Sequence, residues 1–515
     1  MKKITSIQIT KLFGTFDYAI DFEKNDGFTI LTAPNGFGKS TILKIIRAAT
    51  NGNFCYFAGL AFERIVMSFK GTWGDEWRPR VGPGSEPLPD EEAAKPKDTL
   101  LIIAKTPREA LPAVEEDENM ENVAPLEEDG VKPYVCTISV DDYEVSFTDE
   151  DISRSVNEVV AAIPTLEPMF QYTGVSGECR LWKDKRDGEV LDLSGVFRRY
   201  AFQFRKLFPW ILPLVRRLNF AVNYISTNRL YNEEDDRPVT GLASRARSRR
   251  MEEGQEIQNP HLLKIFSISD DIRSANSRCM REQLQKARNL ESNFVERVVA
   301  SLNEGKRIPA DDLRKRINNK ITAIRRLENG CNEFGITSGN KMNKIPETND
   351  DSALMVFDMY LDDVKEKLVV FDPLIKKLKI FSASLKSLLD LKEVKINLST
   401  NSWLSGDSVL DIRNRAGTNI PLEALSSGEQ HLIVLLGRLL FNTENPDALV
   451  MMDEPEISFH PSWQEDFSEI LFKIQNELKE GKNGKRQFII ATHSPAFIGT
   501  HWDKTVELAN MVKDR

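Results

Sequence analysis

The chain has 515 residues, a formal net charge of −9, 41% hydrophobic residues and 29% charged residues. This length predicts two or three domains, and the composition excludes a disordered chain. No apolar run reaches the roughly 18 to 20 residues that span a bilayer, and the amino terminus lacks the apolar core of a signal peptide, so we expect a cytoplasmic protein.

The cysteines and the charge distribution further limit the classes of function that the chain can have. The five cysteines show no C-x-x-C spacing, which argues against a zinc site or a disulfide framework. The negative net charge excludes a uniformly basic nucleic-acid binder. Two local clusters of basic residues, at 245–250 and 314–326, leave open either a nucleic-acid contact or an ordinary solvated surface.

The first elements along the chain lead to a glycine-rich turn. Residues 4–9 and 18–22 alternate as strands do, and residues 27–32 form an apolar run typical of a buried strand. Residues 40–49 have helical periodicity. The loop APNGFGKST at 33–41 therefore lies between a strand and a helix, which is the context that a phosphate-binding loop requires.

The chemistry of this loop is that of nucleotide binding. Its backbone N–H groups and the helix dipole favour a β-phosphate, Lys39 supplies a positive charge to the β- and γ-phosphates, and the Ser40 hydroxyl is a Mg²⁺ ligand. Ala33 replaces the usual first glycine with another small residue. A plain strand-turn-helix corner is the alternative. The predicted nucleotide-binding residues here are Asn35, Gly36, Gly38, Lys39, Ser40 and Thr41.

The middle of the chain is more irregular. Residues 72–134 and 240–260 read as surface insertions, although short strands are expected at 99–104, 135–147 and 218–225. Arg229 ends the last of these strands and is a weak candidate for a nucleotide contact. Gln171 is a weak candidate for a polar side chain that faces the γ-phosphate.

Residues 267–391 are predicted to be helical, with residues 330–350 as the tip of a short helical hairpin. Strands are expected at 394–398, 409–412, 449–453 and 487–491, and helices after Ser427 and over 463–478. We therefore predict an amino-terminal lobe (1–266), a helical insertion (267–391) and a carboxyl-terminal lobe (392–515).

The sequence LSSGEQ at 425–430 opens an apolar helix. A serine hydroxyl and backbone N–H groups at a helix N-terminus form an anion site, while the alternative is an ordinary N-cap with a glutamate in the first turn. The candidate phosphate contacts are Ser426, Ser427, Gly428 and Glu429.

Acidic and histidine side chains follow two apolar strands. Asp453 and Glu454 end the strand at 449–453, where ligands of α/β sheets bind. Asp453 is a predicted Mg²⁺ ligand and Glu454 the predicted general base that polarises the attacking water. His493 ends the strand at 487–491 and is the predicted sensor of the γ-phosphate. His460, before a helix, is a weaker candidate for a residue at a dimer interface.

Taken together, these motifs resemble the ABC-class ATPases of the SMC, Rad50, RecF and OLD group, and most of all those of the AAA15/AAA21 type. The strings DEPEISFHPSWQ at 453–464 and THSP at 492–495 carry the resemblance most specifically. The resemblance implies an α/β ATPase head split into two lobes with a helical insertion, which hydrolyses ATP with Mg²⁺. It also implies a head-to-head homodimer. In this dimer the motif at 426–429, which is the signature motif of the class, contacts the ATP bound by the other subunit.

A finer resemblance points to a partner. OLD-type proteins carry a TOPRIM nuclease domain after the head, and no such domain follows here, so nuclease activity is not expected in this chain. This architecture looks like the PtuA family of Septu and some retron antiphage systems. That resemblance implies a separate HNH nuclease, PtuB-like, and in a retron a reverse transcriptase with its DNA.

Two other functions are weighed against a defence ATPase. The first is a RecF-like or SMC-like repair ATPase that binds DNA. The second is a transporter motor, which the large insertions between the phosphate loop and the signature argue against.

Overall fold

The computed structural model divides the chain into two compact units. One comprises Met1–Pro260 with Glu444–Arg515, and the other is His261–Thr443. The prediction had placed residues 392–443 with the carboxyl-terminal lobe, whereas the contacts group them with the helices. The described residues are 2–51, 54–57, 60–71, 98–107, 134–148, 170–176, 179–184, 190–191, 211–218, 220, 222–225, 262–303, 310–336, 350–389, 391–399, 409–441, 449–477 and 486–512.

The elements are numbered in chain order. The strands are β1 (Lys3–Leu12), β2 (Phe16–Asp21), β3 (Phe28–Thr32), β4 (Arg64–Lys70), β5 (Thr99–Pro107), β6 (Tyr134–Val140), β7 (Tyr143–Thr148), β8 (Phe170–Ser176), β9 (Cys179–Asp184), β10 (Val190–Leu191), β11 (Val222–Ile225), β12 (Lys392–Ile396), β13 (Leu410–Asn414), β14 (Leu449–Asp453), β15 (Phe488–Thr492) and β16 (Thr505–Glu507). The helices are α1 (Lys39–Asn51), α2 (Ile211–Leu218), α3 (Leu262–Asn303), α4 (Ala310–Glu333), α5 (Asp351–Val369), α6 (Asp372–Leu388), α7 (Ser427–Phe441), α8 (Pro461–Glu477) and α9 (Pro495–Ile498).

A five-stranded parallel sheet organises the first unit. Its strand order is β11-β14-β15-β3-β16, and the predicted strands at 27–32, 449–453 and 487–491 are its three central members. Every residue of these three strands is buried, as expected of continuous apolar runs covered on both faces. The register aligns Asp453 with Ala491 and Ala491 with Leu31, so the three following loops begin at one edge of the sheet.

The second sheet of this unit is antiparallel, in the order β2-β1-β4-β5-β6-β7. One hydrophobic core contains residues of both sheets together with the predicted apolar face of α1, including Ile42 and Ile46. The strand predicted at 135–147 is a hairpin, since Asp141 turns the chain with a φ of 54°. Strands β8 to β10 form a separate small sheet.

One strand prediction in this unit was wrong in its first half. The segment 218–225 does not start as a strand, because Leu218 ends the helix α2 and β11 begins only at Val222. Leu218 and Phe220 are both buried in the core, so their apolar character reflects burial and not strand geometry. Such short apolar runs do not distinguish strand from helix by periodicity.

The second unit confirms the helical prediction for 267–391 with four helices, α3 to α6. Helices α4 and α5 share an apolar seam that includes Ile317, Ile324 and Leu361. Buried carboxylates add ion pairs along it: Lys320 Nζ lies 2.6 Å from Asp358. The tip predicted at 330–350 agrees with the end of α4 and the start of α5, and its residues 337–349 lie outside the described residues.

Packing explains why residues 392–443 belong to the helical unit. Phe381 of α6 contacts Phe441 of α7 edge to face, with ring centroids 5.4 Å apart. Gly437 of α7 approaches α3 so closely that a Cβ there would lie 2.5 Å from Ile268 Cγ2. The helix that follows the signature therefore completes the core of this unit.

Candidate nucleotide-binding site

The phosphate loop has the backbone shape that its glycines allow. Gly36 and Gly38 have φ angles of +90° and +79°, in the left-handed region that glycine populates freely. Gly38 is also tightly surrounded, because a Cβ there would lie 3.2 Å from Leu12 Cδ2 and 3.3 Å from Phe13 Cε2. The loop therefore needs glycine at 38 for both reasons, and at 36 for its conformation.

Aromatic residues of β2 hold the loop, which sequence reasoning missed. The Tyr18 hydroxyl donates a hydrogen bond to the Phe37 carbonyl oxygen at 2.6 Å, and the Phe37 ring lies 5.6 Å from that of Phe16. Burial raises the pKa of Tyr18 to about 12, so this donor keeps its proton at neutral pH. The only signal in the sequence was the pair of aromatic residues at i and i+2 of a strand.

The lysine of the loop is held by the loop itself. Lys39 is 6% exposed, and its Nζ donates hydrogen bonds to the carbonyl oxygens of Ala33 at 2.6 Å and Pro34 at 3.2 Å. Lys39 is also the first residue of α1, where the helix dipole favours a negative charge. Its ammonium therefore lies inside the loop, at the positive end of the helix.

The two predicted Mg²⁺ ligands contact each other although they are far apart in the sequence. Ser40 Oγ donates a hydrogen bond to Asp453 Oδ1 at 2.8 Å. Asp453 is buried at the end of β14. A hydroxyl and a carboxylate are oxygen ligands of the kind that Mg²⁺ takes, so the pair fits that ion.

Glu454 and His493 form a second pair at the same edge. His493 Nδ1 lies 3.2 Å from Glu454 Oε1, with 49% and 21% of the respective side chains exposed. Glu454 has a φ of 46°, a left-handed conformation that is unfavourable for a residue with a Cβ. Its N–H is fixed by a 2.8 Å hydrogen bond to the Ala491 carbonyl oxygen. This turn directs the carboxylate towards the end of β15.

A buried hydrogen-bond network fastens the loop after β14 to the loop after β15. The Thr492 hydroxyl donates to Glu456, and it accepts a hydrogen bond of 2.9 Å from the Ser494 N–H. Ser494 Oγ in turn donates to Gln464 Oε1 at 2.5 Å. His493 lies between Thr492 and Ser494, so the network fixes the backbone on both sides of this histidine. The sequence motifs include Gln464, Thr492 and Ser494, but they do not predict the hydrogen bonds between these residues.

We expect Thr492→Val to lower the free energy of unfolding by about 1 to 3 kcal/mol, because it leaves the buried Glu456 without its hydroxyl donor. Thermal and urea unfolding monitored by circular dichroism measures the change. The matched control is Thr500→Val, whose exposed hydroxyl bonds to Glu469 and which should stay within about 0.5 kcal/mol of the wild type. Equal stability of the two variants would contradict the role of the network.

Two further hydrogen bonds involve Thr32, just before the loop at 33–41, and His460, a predicted residue at a dimer interface. Thr32, the last residue of β3, donates its hydroxyl to Glu507 Oε2 at 2.6 Å, which fastens the edge strand β16 beside the strand that leads to the phosphate loop. His460 Nδ1 lies 2.8 Å from Ser462 Oγ at the start of α8, a capping arrangement. Its place at a dimer interface stays a prediction.

In the second unit, the signature motif forms a helix N-cap. The Ser426 N–H donates to Glu429 Oε2 at 2.9 Å, and the Glu429 N–H donates to Ser426 Oγ at 3.4 Å, which together make a capping box. Ser426 and Ser427 are exposed while Gly428 is buried. Gln430, to which the sequence assigned no role, bonds to the preceding turn through the Leu422 and Leu425 carbonyl oxygens. An anion-binding role for the exposed serines stays a prediction.

Lys392 adds a charge to this cap. Its Nζ lies 2.5 Å from Glu429 Oε1. Burial acts to raise the pKa of Glu429, but hydrogen bonds from Lys392 and Ser426 outweigh it, so the pKa lies below its ordinary value. A carboxyl group with a depressed folded-state pKa stabilises the fold above its unfolded pKa of about 4.3, and that contribution disappears as the pH falls through the folded value.

We therefore expect Lys392→Met to raise the pKa of Glu429 and to shift acid unfolding of this unit to higher pH. Unfolding between neutral pH and about pH 2 is followed by circular dichroism. The matched control is Lys395→Met on the same strand, whose pair with Glu393 is more than half exposed on both sides. The interpretation fails if both variants unfold at the same pH as the wild type.

Several predicted residues cannot be placed. Arg229 and the basic run 245–250 lie outside the described residues, and Gln171 lies in β8, of whose side chains nothing is described. Among the described residues, no group of three or more His, Cys, Asp or Glu side chains is arranged to hold a metal ion. Cys136, Cys279 and Cys331 are free thiols. Within the same part of the chain, no helix is long and apolar enough to cross a membrane.

Comparison with known proteins finds similarity to ATPases. Residues 267–499, somewhat under half of the chain, match the family described as "AAA domain, putative AbiEii toxin, Type IV TA system". A stretch of 141 residues is 28% identical to the "Retron Vc95 probable ATPase" of Vibrio cholerae serotype O1 biovar El Tor. That stretch is 27% of this chain and 26% of the relative, so the match spans about a quarter of the relative's length.

Solved structures found by similarity include heads of SMC proteins. The Smc head of Pyrococcus furiosus bound to the C-terminal domain of ScpA is 12% identical, with 97% of this chain and 91% of that chain covered and a TM-score of 0.31. The Smc head of Pyrococcus yayanosii is 13% identical, with 97% and 93% covered and a TM-score of 0.33. At these values, the fold assignment depends on the topology and contacts described above.

The family match and the contacts at the sheet edge point to the same kind of protein. Residues 267–499 match an AAA-domain family, and on the α/β fold the loop at 33–41 and the acidic strand end at Asp453 are adjacent in space. Over 141 residues the chain is similar to a probable ATPase of a retron.

Proposed function

We propose that the protein binds ATP with Mg²⁺, hydrolyses it to ADP and phosphate, and uses that cycle to control a separate nuclease in antiviral defence. The observation that carries the ATPase part is the convergence of four motif residues at one sheet edge. Ser40 contacts Asp453, and Glu454 contacts His493, across 413 and 39 positions of sequence. An ordinary turn and an ordinary strand end would not be expected to bring four motif residues together in two contacting pairs.

In this proposal, each residue has a role that its position supports. The backbone N–H groups of the loop and Lys39 bind the phosphates, and Ser40 with Asp453 holds Mg²⁺, which supplies charge neutralisation of the phosphates when bound. Glu454 accepts the proton of the attacking water. His493, hydrogen-bonded to Glu454, orients this carboxylate and contacts the γ-phosphate.

The proposal also includes a dimer. Ser426 and Ser427 are exposed at the N-terminus of α7, where backbone N–H groups and the helix dipole favour an anion. In an ABC-type head-to-head dimer, this end of the helix contacts the γ-phosphate held by the other subunit. ATP then bridges two copies, and its hydrolysis separates them.

Similarity to the retron relative supports the defence role. That relative is named as a retron ATPase, and the chain resembles the PtuA family, whose members act with an HNH nuclease. We accordingly propose a PtuB-like HNH nuclease as partner, with a reverse transcriptase and its DNA in a retron context. The second candidate, a RecF-like repair ATPase that binds DNA, would share the same ATP site.

The experiment that tests the partner is affinity purification of the tagged chain from its native host, followed by mass spectrometry. Co-purification of a small HNH nuclease in equal amount, with loss of phage protection when either gene is deleted, supports the defence proposal. Recovery of repair factors would favour the alternative, and full protection by this chain alone would contradict the control of a separate nuclease. ATP hydrolysis is measured separately on the purified chain, so failure of one part does not decide the other.

A further inference from the structure

The helical unit carries a basic surface on α4, whose residues have no part in the function proposed above. Helix α4 has six cationic side chains between positions 313 and 327, and no aspartate or glutamate in that stretch. The chain as a whole has a net charge of −9, so this concentration of positive charge is local. The cations are Arg314, Lys315, Arg316, Lys320, Arg325 and Arg326.

Arg316 and Lys320 form ion pairs within the unit. Arg316 lies 3.0 Å from Asp358, and Lys320 lies 2.6 Å from the same carboxylate. Arg325 and Arg326 differ, since both are exposed and neither has an ion pair within the part of the chain that the structure describes. Both guanidinium groups are therefore accessible from solvent.

The two arginines line an open groove. It has a volume of about 450 Å³, and its other walls include Thr322 and Asn329 of the same helix. Lys379 of α6 lies on the opposite side, where it also contacts Glu333 at 3.4 Å. The groove is thus lined by cations, a hydroxyl and an amide, with one carboxylate at its end.

The composition of the surface distinguishes between two kinds of acidic partner. From 315 to 329, every exposed residue is cationic, an asparagine or a threonine, and none is apolar. A protein interface would need apolar or aromatic anchors at its centre, which this face lacks. Arg, Lys, Asn and Thr side chains are the groups that contact phosphate and sugar in nucleic-acid complexes.

We propose that the exposed face of α4, with Lys379 of α6, binds the phosphate backbone of a nucleic acid without reading its sequence. The cations near 315 and those near 325 lie about 15 Å apart along the helix, so they contact different phosphates. This binding does not depend on the ATP site or on the nuclease partner proposed above.

The test is fluorescence anisotropy of the full chain with a labelled DNA duplex of mixed sequence and with one of its strands alone, at several NaCl concentrations. The double variant Arg325→Gln/Arg326→Gln is expected to raise the Kd about tenfold or more at low salt. For the duplex, the slope of log K against log salt should fall by about 1.8, since each lost phosphate contact removes about 0.9.

The matched control is Lys286→Gln/Lys395→Gln, which removes two exposed lysines that have acidic neighbours in the same unit. It should bind like the wild type, and both variants should keep the circular dichroism spectrum and ATPase rate. The proposal is overturned if the wild type binds neither probe, or if the arginine variant keeps the wild-type slope. Loss of a protein partner in that variant, without any DNA binding by the wild type, would also overturn it.

Discussion

Glu454→Gln is expected to lower kcat for ATP hydrolysis by about 100- to 10,000-fold while ATP still binds. The substitution keeps the size of the side chain and its ability to accept a hydrogen bond, but an amide cannot take a proton from water. The proposed role rests on the position of Glu454, which has a left-handed backbone (φ of 46°) and a carboxylate 3.2 Å from His493. Nucleotide binding depends on the phosphate loop and should stay within a few-fold of the wild type.

The measurement combines steady-state ATPase assays with equilibrium binding of ATP. If the proposed dimer forms, the variant should also accumulate as an ATP-bound dimer in size-exclusion chromatography with light scattering, because hydrolysis no longer opens it. Glu465→Gln on α8 is the matched control, an exposed glutamate in the same unit. A variant that hydrolyses ATP at the wild-type rate would show that Glu454 is not the general base.

His493→Ala separates two roles for the histidine. If His493 only orients Glu454, the variant should lose kcat with little change in KM. If it also contacts the γ-phosphate, KM for ATP should rise as well, and steady-state ATPase assays measure both constants.

The sequence indicated candidate residues for this site but not the contacts that hold them in place. A phosphate loop needs glycine, lysine and serine at fixed spacing, so its residues can be recognised locally. The contacts that support them join distant positions. Tyr18 with Phe37, Thr492 with Glu456 and Thr32 with Glu507 are set by strand order, and strand order cannot be read from local periodicity.

The same limit explains the fold-level differences. Strands β3, β14 and β15 were predictable because central parallel strands are apolar throughout. The assignment of residues 392–443 to the helical unit was not predictable. It depends on contacts between Gly437 and Ile268 and between Phe381 and Phe441. Each contact joins two segments. Helical periodicity identifies these segments separately, but it does not predict which of them pack against each other.

Lys39→Ala is expected to weaken ATP binding roughly 10- to 100-fold, since hydrogen bonds from a charged donor contribute about 1.5 to 3 kcal/mol. Without nucleotide, Lys39 Nζ is held by the carbonyl oxygens of Ala33 and Pro34. Bound phosphate replaces those neutral acceptors with a charged one, so the lysine contributes more to the bound state than to the empty one. Isothermal titration calorimetry with ATP and Mg²⁺ measures the difference.

Because Lys39 is almost fully buried, its removal also leaves a space, and a second variant separates charge from packing. Lys39→Met fills much of that space with an uncharged chain and should lose ATP affinity as Lys39→Ala does, but with less loss of thermal stability. Lys44→Ala, on the same helix, is the matched control and should bind ATP normally. If Lys39→Met binds as tightly as the wild type, the lysine acts by filling the loop, and the charge-based account of this site fails.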